Sequence, residues 1–245
     1  MPTATLQQAT ALIVAAGKGA RLGSALPKAF VNVGGRPLIT WSLDTFAAAG
    51  VGEIVIAMPP EGALPDGFVA RAEDPAEVRA AAQLVLPAGT RTVVGGAERS
   101  HSVRAALALS TGTPILVHDA ARPLITPAFA EAAVGALADE PELAAAIIAA
   151  PVADTIKRSV DGRHVDGTLD RSELWGVQTP QAFRHEWLER ALSQPDEVLA
   201  EATDDASIVE SLGGRVALVP APGPNLKVTT PHDLTVVELL LAQRR

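Results

Sequence analysis

The segment ALIVAAGKGARLG occupies residues 11–23 and decides the fold more than any other stretch of the chain. Its first six residues, Ala11 to Ala16, are all apolar, as in a strand that is buried on both faces of a sheet. Glycines and basic residues follow this strand directly. Because a glycine-rich turn leaves backbone N–H groups open to a ligand, the arrangement predicts a site at which the phosphates of a nucleotide bind.

The spacing of the glycines distinguishes this turn from two familiar nucleotide-binding motifs. Gly17, Gly19 and Gly23 follow the pattern GxGxxxG, whereas the dinucleotide fingerprint is GxGxxG and the P-loop ends in Gly-Lys-Ser/Thr. Two cations follow the first glycines, Arg21 and Lys28, and could brace a triphosphate and the charge that develops as pyrophosphate leaves. The glycines alone are equally compatible with an ordinary strand-to-helix turn that carries surface cations.

The rest of the chain alternates strand-like and helix-like patterns. Apolar runs rich in Ile and Val cover Glu53–Met58, Pro114–His118 and Ala144–Val152. Helical spacing of apolar residues covers Pro37–Ala49, Glu98–Leu109, Pro127–Ala138, Arg184–Ser193, Thr203–Leu212 and Pro231–Gln243. This alternation predicts an α/β fold with a mostly parallel, Rossmann-like sheet and helices on both of its faces. A chain of 245 residues suits one large domain of this type, so we expect residues 1–245 to form a single domain.

Residues 154–175 interrupt the alternation. The segment is polar, carries turn signals at Asp161-Gly162 and Asp166-Gly167, and alternates its residues as a hairpin does. We therefore expect an arm that projects from the core. Such an arm must pack on something, and a second subunit is the simplest candidate, so the sequence predicts a homodimer with residues 154–175 as its dimerisation arm.

The composition narrows the class of function. The net charge of −8 opposes a broad grip on the phosphate backbone of nucleic acid, which requires a basic face. The apolar run Ala11–Ala16 is far too short for a signal peptide or a membrane span. The absence of cysteine excludes disulfides and thiolate metal sites and agrees with a reducing compartment. We expect a cytoplasmic protein that binds neither nucleic acid nor membranes.

A carboxylate and an arginine stand at the end of the third predicted strand. Asp119 follows Pro114–His118 directly, at the sheet edge where open α/β folds bind ligands, and a lone carboxylate there suits a hard cation such as Mg²⁺. The alternative for Asp119 is a helix N-cap. Arg122 could reach a substrate phosphate or hydroxyl, and a structural salt bridge is its alternative.

Lysine is scarce in this chain, since only Lys18, Lys28, Lys157 and Lys227 accompany sixteen arginines. A solvated surface amine would more often be an arginine on this background, so each lysine merits a functional hypothesis. Lys227 lies in a short, strand-like segment with apolar neighbours, where a half-buried amine needs an anionic partner. An exposed lysine on an edge strand is the alternative.

Further residues are of types that suit a ligand site. Gly95 and Gly96 allow the backbone to approach a base closely, and Ser102 on the next predicted helix offers a hydroxyl. Arg171 stands at the far end of the arm and suits a bidentate grip on a phosphate monoester. Its plainer alternative is a surface ion pair with Asp170.

Three other residues have common structural uses. Thr179 precedes a proline and Thr203 precedes two aspartates, and both positions are typical of turn formers and helix caps. His118 is more simply structural than catalytic, because a phosphate oxygen is already a nucleophile at neutral pH and needs no histidine base.

Seven ordered segments together resemble a known family. They are ALIVAAGKGARLG with LPKAF (11–30), GGAERSHSV (95–103), VHDAARPLI (117–125), APVADTIKR (150–158), LDRSELWGVQTPQAF (169–183), ATDDAS (202–207) and NLKVTTPHDL (225–234). The chain is similar in these segments to the 2-C-methyl-D-erythritol 4-phosphate cytidylyltransferases of the non-mevalonate isoprenoid pathway. The resemblance implies the nucleotidyltransferase fold and transfer of a cytidylyl group from CTP to the polyol phosphate.

The resemblance also implies roles for individual residues. It assigns catalysis to Arg21, Lys28, Arg171 and Lys227, and Mg²⁺ to Asp119. It assigns nucleotide binding to Ala15, Ala16, Gly17, Gly19, Gly95, Gly96, Ser102 and Asp119. It assigns the polyol phosphate to Asp119, Arg122, Thr155, Arg171, Thr179, Thr203 and Lys227, with Thr155 and Arg171 reaching the partner's site. Ala97 stands where relatives can have aspartate, so base contacts there would come from the main chain.

Three other interpretations remain. A ribitol-5-phosphate cytidylyltransferase would carry closely related motifs. A catalytically idle nucleotide-binding protein on the same scaffold would lack at least one of five charged motif residues, and none is missing. These residues are Arg21, Lys28, Asp119, Arg171 and Lys227. A nicotinamide-dependent dehydrogenase is disfavoured by the glycine spacing and by the lack of a clear ribose-binding acid about 20 residues beyond the turn.

Overall fold

The computed structural model describes residues 5–17, 19–22, 26–60 and 86–244, so Lys18 and Gly23 of the glycine-rich turn lie outside the described residues. The strands, in chain order, are β1 (Thr10–Val14), β2 (Asn32–Val33), β3 (Arg36–Pro37), β4 (Glu53–Met58), β5 (Arg91–Val94), β6 (Ile115–Asp119), β7 (Ala145–Pro151), β8 (Lys157–Arg158), β9 (Gly167–Thr168), β10 (Trp175–Phe183) and β11 (Val216–Pro220). The α-helices of the same residues are α1 (Leu38–Ala48), α2 (Arg99–Leu107), α3 (Pro127–Asp139), α4 (His185–Leu192), α5 (Asp196–Glu201), α6 (Asp205–Ser211) and α7 (Pro231–Ala242). None of these helices is long and apolar enough to cross a membrane.

Seven of the strands form one sheet in the order β11-β7-β10-β6-β1-β4-β5. β1 pairs in parallel with β4 and β6, β4 with β5, and β11 with β7. β10 is antiparallel to both of its neighbours, β6 and β7. The predicted α/β class, with a mostly parallel sheet, is therefore confirmed.

The central strand β1 is covered on both faces, as its uninterrupted apolar run predicts. Leu12 packs in a cluster with Val103 of α2, whereas Ile13 belongs to a cluster on the other face with Phe46 of α1 and Phe129 of α3. Leu12 and Ile13 are fully buried. Burying a large aliphatic side chain stabilises the fold by about 1.5–3 kcal/mol. These two clusters hold β1, and with it the start of the glycine-rich turn, rigidly in the sheet.

Except for the strand-like segment around Lys227, the predicted strands and helices are present, with ends that differ from prediction by at most two residues. The sequence did not predict β2, β3, β10, β11 or α5. β10 contains Gly176 and Pro180, residues that weaken a strand, and its register with β7 shifts between Val177 and Gln181. Its antiparallel pairing depends on neighbours that are distant in sequence, which a local pattern does not reveal.

The predicted strand around Lys227 was wrong. Lys227 lies in an irregular segment that approaches the sheet edge through single contacts. The N–H of Val228 donates to the carbonyl of Ala121 at 2.8 Å. The side-chain amide of Asn225 donates to the carbonyl of Thr179 at 2.8 Å. These contacts, rather than a strand ladder, hold the segment beside the end of β6 and the middle of β10.

The arm contains the predicted hairpin. β8 pairs antiparallel with β9, with Lys157 opposite Thr168 and Arg158 opposite Gly167. Most of its side chains are exposed, and Val160 near its tip is 89% exposed. The homodimer itself stays a prediction.

Candidate active site

The predicted motifs converge at the carboxyl edge of the sheet. β1 and β6 run in parallel and place Val14 opposite Asp119, so the glycine-rich turn and Asp119 leave the sheet side by side. β4 and β5 end at the same edge, where Gly95 and Gly96 follow β5. Open α/β sheets bind ligands at this edge. The motifs surround a cleft of about 330 Å³, called the turn cleft below.

The turn cleft gathers most of the residues that the sequence assigned to the nucleotide. Those that line it are Ala15, Ala16, Gly17, Gly19, Gly96, Ser102 and Asp119. Three predicted catalytic cations, Arg21, Lys28 and Lys227, line it as well. Gly95 precedes Gly96 in the chain and lies close to Ala16 and Ser102, which line the cleft. The structure therefore brings these residues together, while their contacts with substrate stay predictions.

The turn requires glycine at position 19. Gly19 has a φ of +66°, and a Cβ there would lie 2.6 Å from the Cβ of Lys28. The N–H of Lys28 donates to the carbonyl of Gly17 at 3.2 Å and so closes the turn on itself. A Cβ at Gly17 would have no atom within 4 Å, because this residue faces open space. The turn thus presents bare backbone beside an amine.

Gly95 and Gly96 form the opposite wall. A Cβ at Gly95 would lie 2.4 Å from the Cβ of Ala16 and 2.8 Å from Oγ of Ser102, so the two walls are too close for a side chain. The Ser102 hydroxyl accepts from the N–H of Gly96 at 3.1 Å and donates to the carbonyl of Glu98 at 3.2 Å. These two bonds fix the shape of the wall. A direct bond from Ser102 to a ligand stays a prediction.

Asp119 is the centre of a charged network. Its Oδ1 accepts from Nε of Arg99 at 3.1 Å, and its Oδ2 accepts from Nζ of Lys227 at 2.6 Å. Burial alone would raise the pKa of Asp119, but Arg99 and Lys227 outweigh burial and hold that pKa well below its usual range. The carboxylate is therefore ionised at neutral pH. No helix begins here, so the alternative role of Asp119 as an N-cap is excluded.

The surroundings of Lys28 disfavour the positive charge of its amine. Burial lowers its pKa, the charge of Lys227 lowers it further, and the attraction of Asp119 only partly compensates, which leaves the pKa at about 8. The exposed side chain of Arg21 lines the same cleft and adds to the repulsion. A ligand with several negative charges would relieve this repulsion. The electrostatics therefore favour a polyphosphate in the turn cleft.

A second cleft of about 380 Å³, called the neighbouring cleft below, adjoins the first. Both clefts are lined by Arg99, Asp119 and Lys227, which form the wall between them. Besides Asp119 and Lys227, three further residues predicted to bind the polyol phosphate line the neighbouring cleft: Arg122, Thr179 and Thr203. A ligand in either cleft can therefore contact the same central carboxylate and amine.

Arg122 keeps a positive charge without a direct anionic partner. Its Nη1 donates to the carbonyl of Asn225 at 2.8 Å and its Nη2 to the carbonyl of Val177 at 3.4 Å. No carboxylate of the described residues lies within salt-bridge distance, so the alternative of a structural salt bridge is not supported. Burial lowers the pKa of Arg122, and Asp119 opposes this effect. Such a guanidinium attracts an anion into the neighbouring cleft.

Thr179 joins Asp119 to a buried histidine. The Thr179 hydroxyl accepts from the backbone N–H of Asp119 at 3.1 Å and lies 3.0 Å from Nδ1 of His118. Nε2 of His118 lies 3.1 Å from Oγ of Ser42. Burial lowers the pKa of His118 to about 3, so the ring is neutral. The structural role predicted for His118 fits this position, whereas a substrate contact from Thr179 stays a prediction.

The arm residues do not reach either cleft of their own chain. Thr155 is exposed, and Arg171 donates from Nη1 to the carbonyl of Ala153 at 2.6 Å. Asp170 does not pair with Arg171, because its Oδ1 accepts from the N–H of Ser172 at 3.0 Å and from the Ser172 hydroxyl at 2.7 Å. The plainer alternative of a surface ion pair was therefore wrong. One chain alone does not complete the predicted set.

Sequence reasoning missed two residues of the network, Arg99 and Asp205. Nη1 of Arg99 donates to Oδ2 of Asp205 at 2.5 Å, while its Nε bonds to Asp119. One signal was available: Arg99 is a cation in the first turn of a helix, where the helix dipole disfavours it unless anions are near. The partners could not be read from the sequence, because Asp205 lies 106 positions away.

The donor set around Asp119 restricts the kind of metal that fits. No group of three or more His, Asp or Glu that could hold a metal occurs among the described residues. A carboxylate offers about four lone-pair positions, of which Arg99 and Lys227 use two. Asp119 therefore fits a cation that takes most of its ligands from phosphate and water, as Mg²⁺ does at phosphate sites.

The fold and the two clefts define a class: enzymes that bind a nucleoside triphosphate at the carboxyl edge of an α/β sheet and transfer part of it to an adjacent acceptor. The model of the family described as 2-C-methyl-D-erythritol 4-phosphate cytidylyltransferase matches residues 9–243. This chain belongs to that family, and the predicted resemblance is confirmed.

Individual relatives agree over almost the whole chain. The 2-C-methyl-D-erythritol 4-phosphate cytidylyltransferase of Nocardia farcinica is 43% identical over 238 residues, which cover 96% of this chain and 94% of that protein. The enzyme of the same name from Syntrophotalea carbinolica is 39% identical over 235 residues, 94% of each chain. The crystal structure of the Thermus thermophilus cytidylyltransferase matches with a TM-score of 0.73 at 30% identity and covers 94% of this chain and 98% of that one.

Proposed function

We propose that this protein transfers the cytidylyl group of CTP to 2-C-methyl-D-erythritol 4-phosphate in the non-mevalonate route to isoprenoid precursors. The products are 4-diphosphocytidyl-2-C-methyl-D-erythritol and pyrophosphate. The observation that carries the proposal is the pair of clefts that share Arg99, Asp119 and Lys227. The reaction needs two adjoining subsites, because an oxygen of the acceptor phosphate must reach the α-phosphorus of the nucleotide.

CTP occupies the turn cleft in this proposal. The base lies against the wall of Gly95 and Gly96, where a side chain would clash and only the backbone is available. The triphosphate lies along the turn of Gly17 and Gly19, within reach of Lys28. This orientation directs the β- and γ-phosphates toward the cations of the turn and leaves the α-phosphorus near the shared wall.

The transfer step needs no covalent intermediate. An oxygen of the acceptor phosphate attacks the α-phosphorus in line and forms the new P–O bond. The bond from the α-phosphorus to the oxygen that bridges to the β-phosphorus breaks, and pyrophosphate leaves with that electron pair. Arg21 and Lys28 stabilise the leaving group, and Lys227 reduces repulsion between the two phosphates. Arg122 holds the acceptor in the neighbouring cleft.

A Mg²⁺ ion bound with the triphosphate is part of the proposal. Asp119 would hold it, together with phosphate oxygens and water. When bound, the ion would neutralise charge that develops on the departing pyrophosphate. The residues of the chain do the remaining work of orientation and of charge stabilisation.

A homodimer completes the proposed site. Arg171 and Thr155 line neither cleft of their own chain, and most side chains of the hairpin are exposed. In the dimer the arm of one subunit reaches the neighbouring cleft of the other, where the Arg171 guanidinium binds the acceptor phosphate. We expect the dimer to work in the cytoplasm, a location that suits a chain without cysteine.

Release of pyrophosphate tests the function directly. The full chain is incubated with Mg²⁺, CTP and 2-C-methyl-D-erythritol 4-phosphate, and parallel reactions replace CTP by ATP or UTP. We expect rapid release with CTP alone among the nucleotides. Binding of CTP without release in every reaction would support a nucleotide-binding protein that does not catalyse transfer.

Ribitol 5-phosphate in place of the methylerythritol phosphate decides between the two acceptors. Both are phosphate monoesters of small polyols, so the cations of the site would attract either one. We expect kcat/KM to favour 2-C-methyl-D-erythritol 4-phosphate strongly. A preference for ribitol 5-phosphate would overturn the assignment of the acceptor and leave cytidylyl transfer intact.

A further inference from the structure

Asp205 is a buried carboxylate that the transfer reaction described above does not use. It lies in the first turn of α6 and is completely buried. Its Oδ2 accepts from Nη1 of Arg99 at 2.5 Å, and its Oδ1 has no hydrogen-bond partner. A buried oxygen without a partner carries a desolvation penalty, and burial accordingly raises the pKa of Asp205, although Arg99 opposes this effect.

Helix formation does not explain this residue. The N-cap of α6 is the preceding residue, Asp204, whose side chain accepts from the N–H of Ser207 at 2.9 Å. The second oxygen of Asp204 accepts from the amide of Gln181 at 2.8 Å. Buried ion pairs such as Asp205 with Arg99 contribute little net stability, because desolvation offsets their attraction. Asp205 therefore calls for a different explanation.

Arg99 connects Asp205 to the wall between the clefts. Its guanidinium contacts Asp205 through Nη1 and Asp119 through Nε, so the two carboxylates lie on different edges of one planar fork. In the structure Asp205 holds Nη1 of the guanidinium, and Asp119 receives a single bond from Nε. Without Asp205, Arg99 could turn and bind both oxygens of Asp119, and thereby compete with Lys227 for Oδ2.

We propose that Asp205 is a positioning residue for cytidylyl transfer, which acts through Arg99 to fix the carboxylate of Asp119 between the two substrates. The inference rests on the proposed function, since it assigns a task within that reaction. It also links two elements with different substrates: Arg99 begins α2, which follows the Gly95-Gly96 wall, and Asp205 begins α6, which follows Thr203. The pair therefore fixes the distance between the nucleotide side and the acceptor side of the site.

The first test replaces Asp205 by asparagine, which keeps the size of the side chain and removes its charge. We expect kcat to fall about 10- to 100-fold, because small misplacements of reacting groups lower rates by such factors. We expect the affinity for CTP alone, measured by calorimetry without acceptor, to change little. The control is Asp196→Asn. Asp196 forms a 2.9 Å ion pair with Arg104, which lies on the same helix as Arg99, but Asp196 lies outside both clefts. This control should keep the kcat of the wild-type chain.

The second test asks whether Asp205 acts through Arg99. Arg99→Lys keeps the positive charge but replaces the fork by a point charge that can favour only one carboxylate. If the two residues act as one unit, the double variant should lose no more kcat than the more damaged single variant. Independent losses that multiply in the double variant would contradict the proposal. Arg99 is partly exposed, so Arg99→Lys decides the question if Asp205→Asn does not fold.

The wild-type reaction separates two kinds of failure. If the wild-type chain releases no pyrophosphate in the same assay, the proposed function fails. If the wild-type chain is active and a folded Asp205→Asn variant keeps its kcat, the function stands and the positioning role is overturned. A lower melting temperature with an unchanged kcat would likewise assign Asp205 to stability alone.

Discussion

The wall between the clefts and the projecting arm both present charged residues predicted to bind phosphate, in opposite surroundings. In the wall, Asp119 is buried, and its cationic partners lie 20 and 108 positions away in sequence. In the arm, Asp170 is exposed and bonds to Ser172, two positions away. The wall is fixed by tertiary contacts within one chain, whereas the arm is shaped by local turns.

The difference supports the proposal that each subunit carries the clefts in which its own transfer step occurs, whereas its arm serves the site of the other subunit. Charges held in fixed positions need no reorganisation when the charge of a reaction develops, so the wall and the turn cleft suit the transfer step itself. Arg171 is anchored to its own chain by a bond to the carbonyl of Ala153 and lines neither cleft. We therefore expect changes in the turn cleft to damage the subunit that carries them, and changes in the arm to damage its partner.

The largest effect is expected at Lys28. Replacing Lys28 by alanine removes the amine that we propose lies beside the departing pyrophosphate, and loss of one such stabilising group typically lowers kcat by about 10²–10³-fold. The amine makes no salt bridge among the described residues, so the melting temperature should change little. Steady-state kinetics with CTP, together with thermal unfolding, measures both effects.

Lys157 provides the matched control for Lys28. It is a lysine of the arm, and its Nζ donates to the hydroxyl of Thr168 at 2.6 Å within the hairpin. Lys157→Ala should leave kcat close to that of the wild-type chain. Equal losses at the two lysines would mean that the cleft and the arm do not differ as described.

A smaller loss is expected at Arg171, and its location can be measured. Arg171→Ala should lower kcat/KM for the polyol phosphate about 10- to 100-fold, because a charge-assisted bond to phosphate contributes about 1.5–3 kcal/mol. Binding of CTP alone should not change. Calorimetry with CTP and kinetics with varied acceptor separate these two outcomes.

Mixing two defective chains tests whether the arm acts across the dimer. Lys28→Ala disables the turn cleft and Arg171→Ala disables the arm, so a mixed dimer has one site with both defects and one site with neither. Equal amounts of the two chains, allowed to exchange subunits, should regain about one quarter of wild-type activity. Activity that merely averages the two variants would place Arg171 in the site of its own chain.

Much of this site could be predicted because its motifs follow strand ends. Ala15 and Asp119 come directly after, or at the end of, buried strands of the same sheet, so their meeting at one edge follows from parallel pairing. The glycine spacing and the cations at Arg21 and Lys28 added the preference for a triphosphate. Local pattern and strand order together therefore located the turn cleft.

The parts that could not be predicted depend on contacts between distant residues. The role of Arg99 depends on its position between Asp119 and Asp205, and no local pattern contains that information. The strand β10 was missed because it has an antiparallel pairing and an internal proline, Pro180. An anionic partner for Lys227 was expected from its chemistry, but its identity as Asp119 was not predicted. The predicted strand around Lys227 was wrong, since isolated contacts hold the segment.

The pH dependence of CTP binding should distinguish Lys28 from the arm. The pKa of Lys28 is about 8, so its amine is mostly charged below pH 8 and mostly neutral above it. Binding of the triphosphate needs the charged form, so KM for CTP should rise about tenfold between pH 7 and pH 9. Lys28→Arg should flatten this rise, because arginine stays charged. A rise that persists in Lys28→Arg would assign the effect to another group.

The smallest effect is expected from His118, beneath the wall. Its pKa is about 3 in the folded chain and about 6.5 when unfolded, so acid favours the unfolded state, which binds the proton more readily. This one group should remove about 1 kcal/mol of the free energy of unfolding between pH 7 and pH 5.5. We expect His118→Gln to be less stable than the wild-type chain at pH 7. Between pH 7 and pH 5.5, its free energy of unfolding, measured by urea titration, should fall by about 1 kcal/mol less than that of the wild-type chain. The arm supplies the control, since His164 is exposed and bonds only within its own turn, to Asp161. An acid dependence that changes as much in His164→Gln as in His118→Gln would contradict the contrast between a wall fixed by burial and an arm open to water.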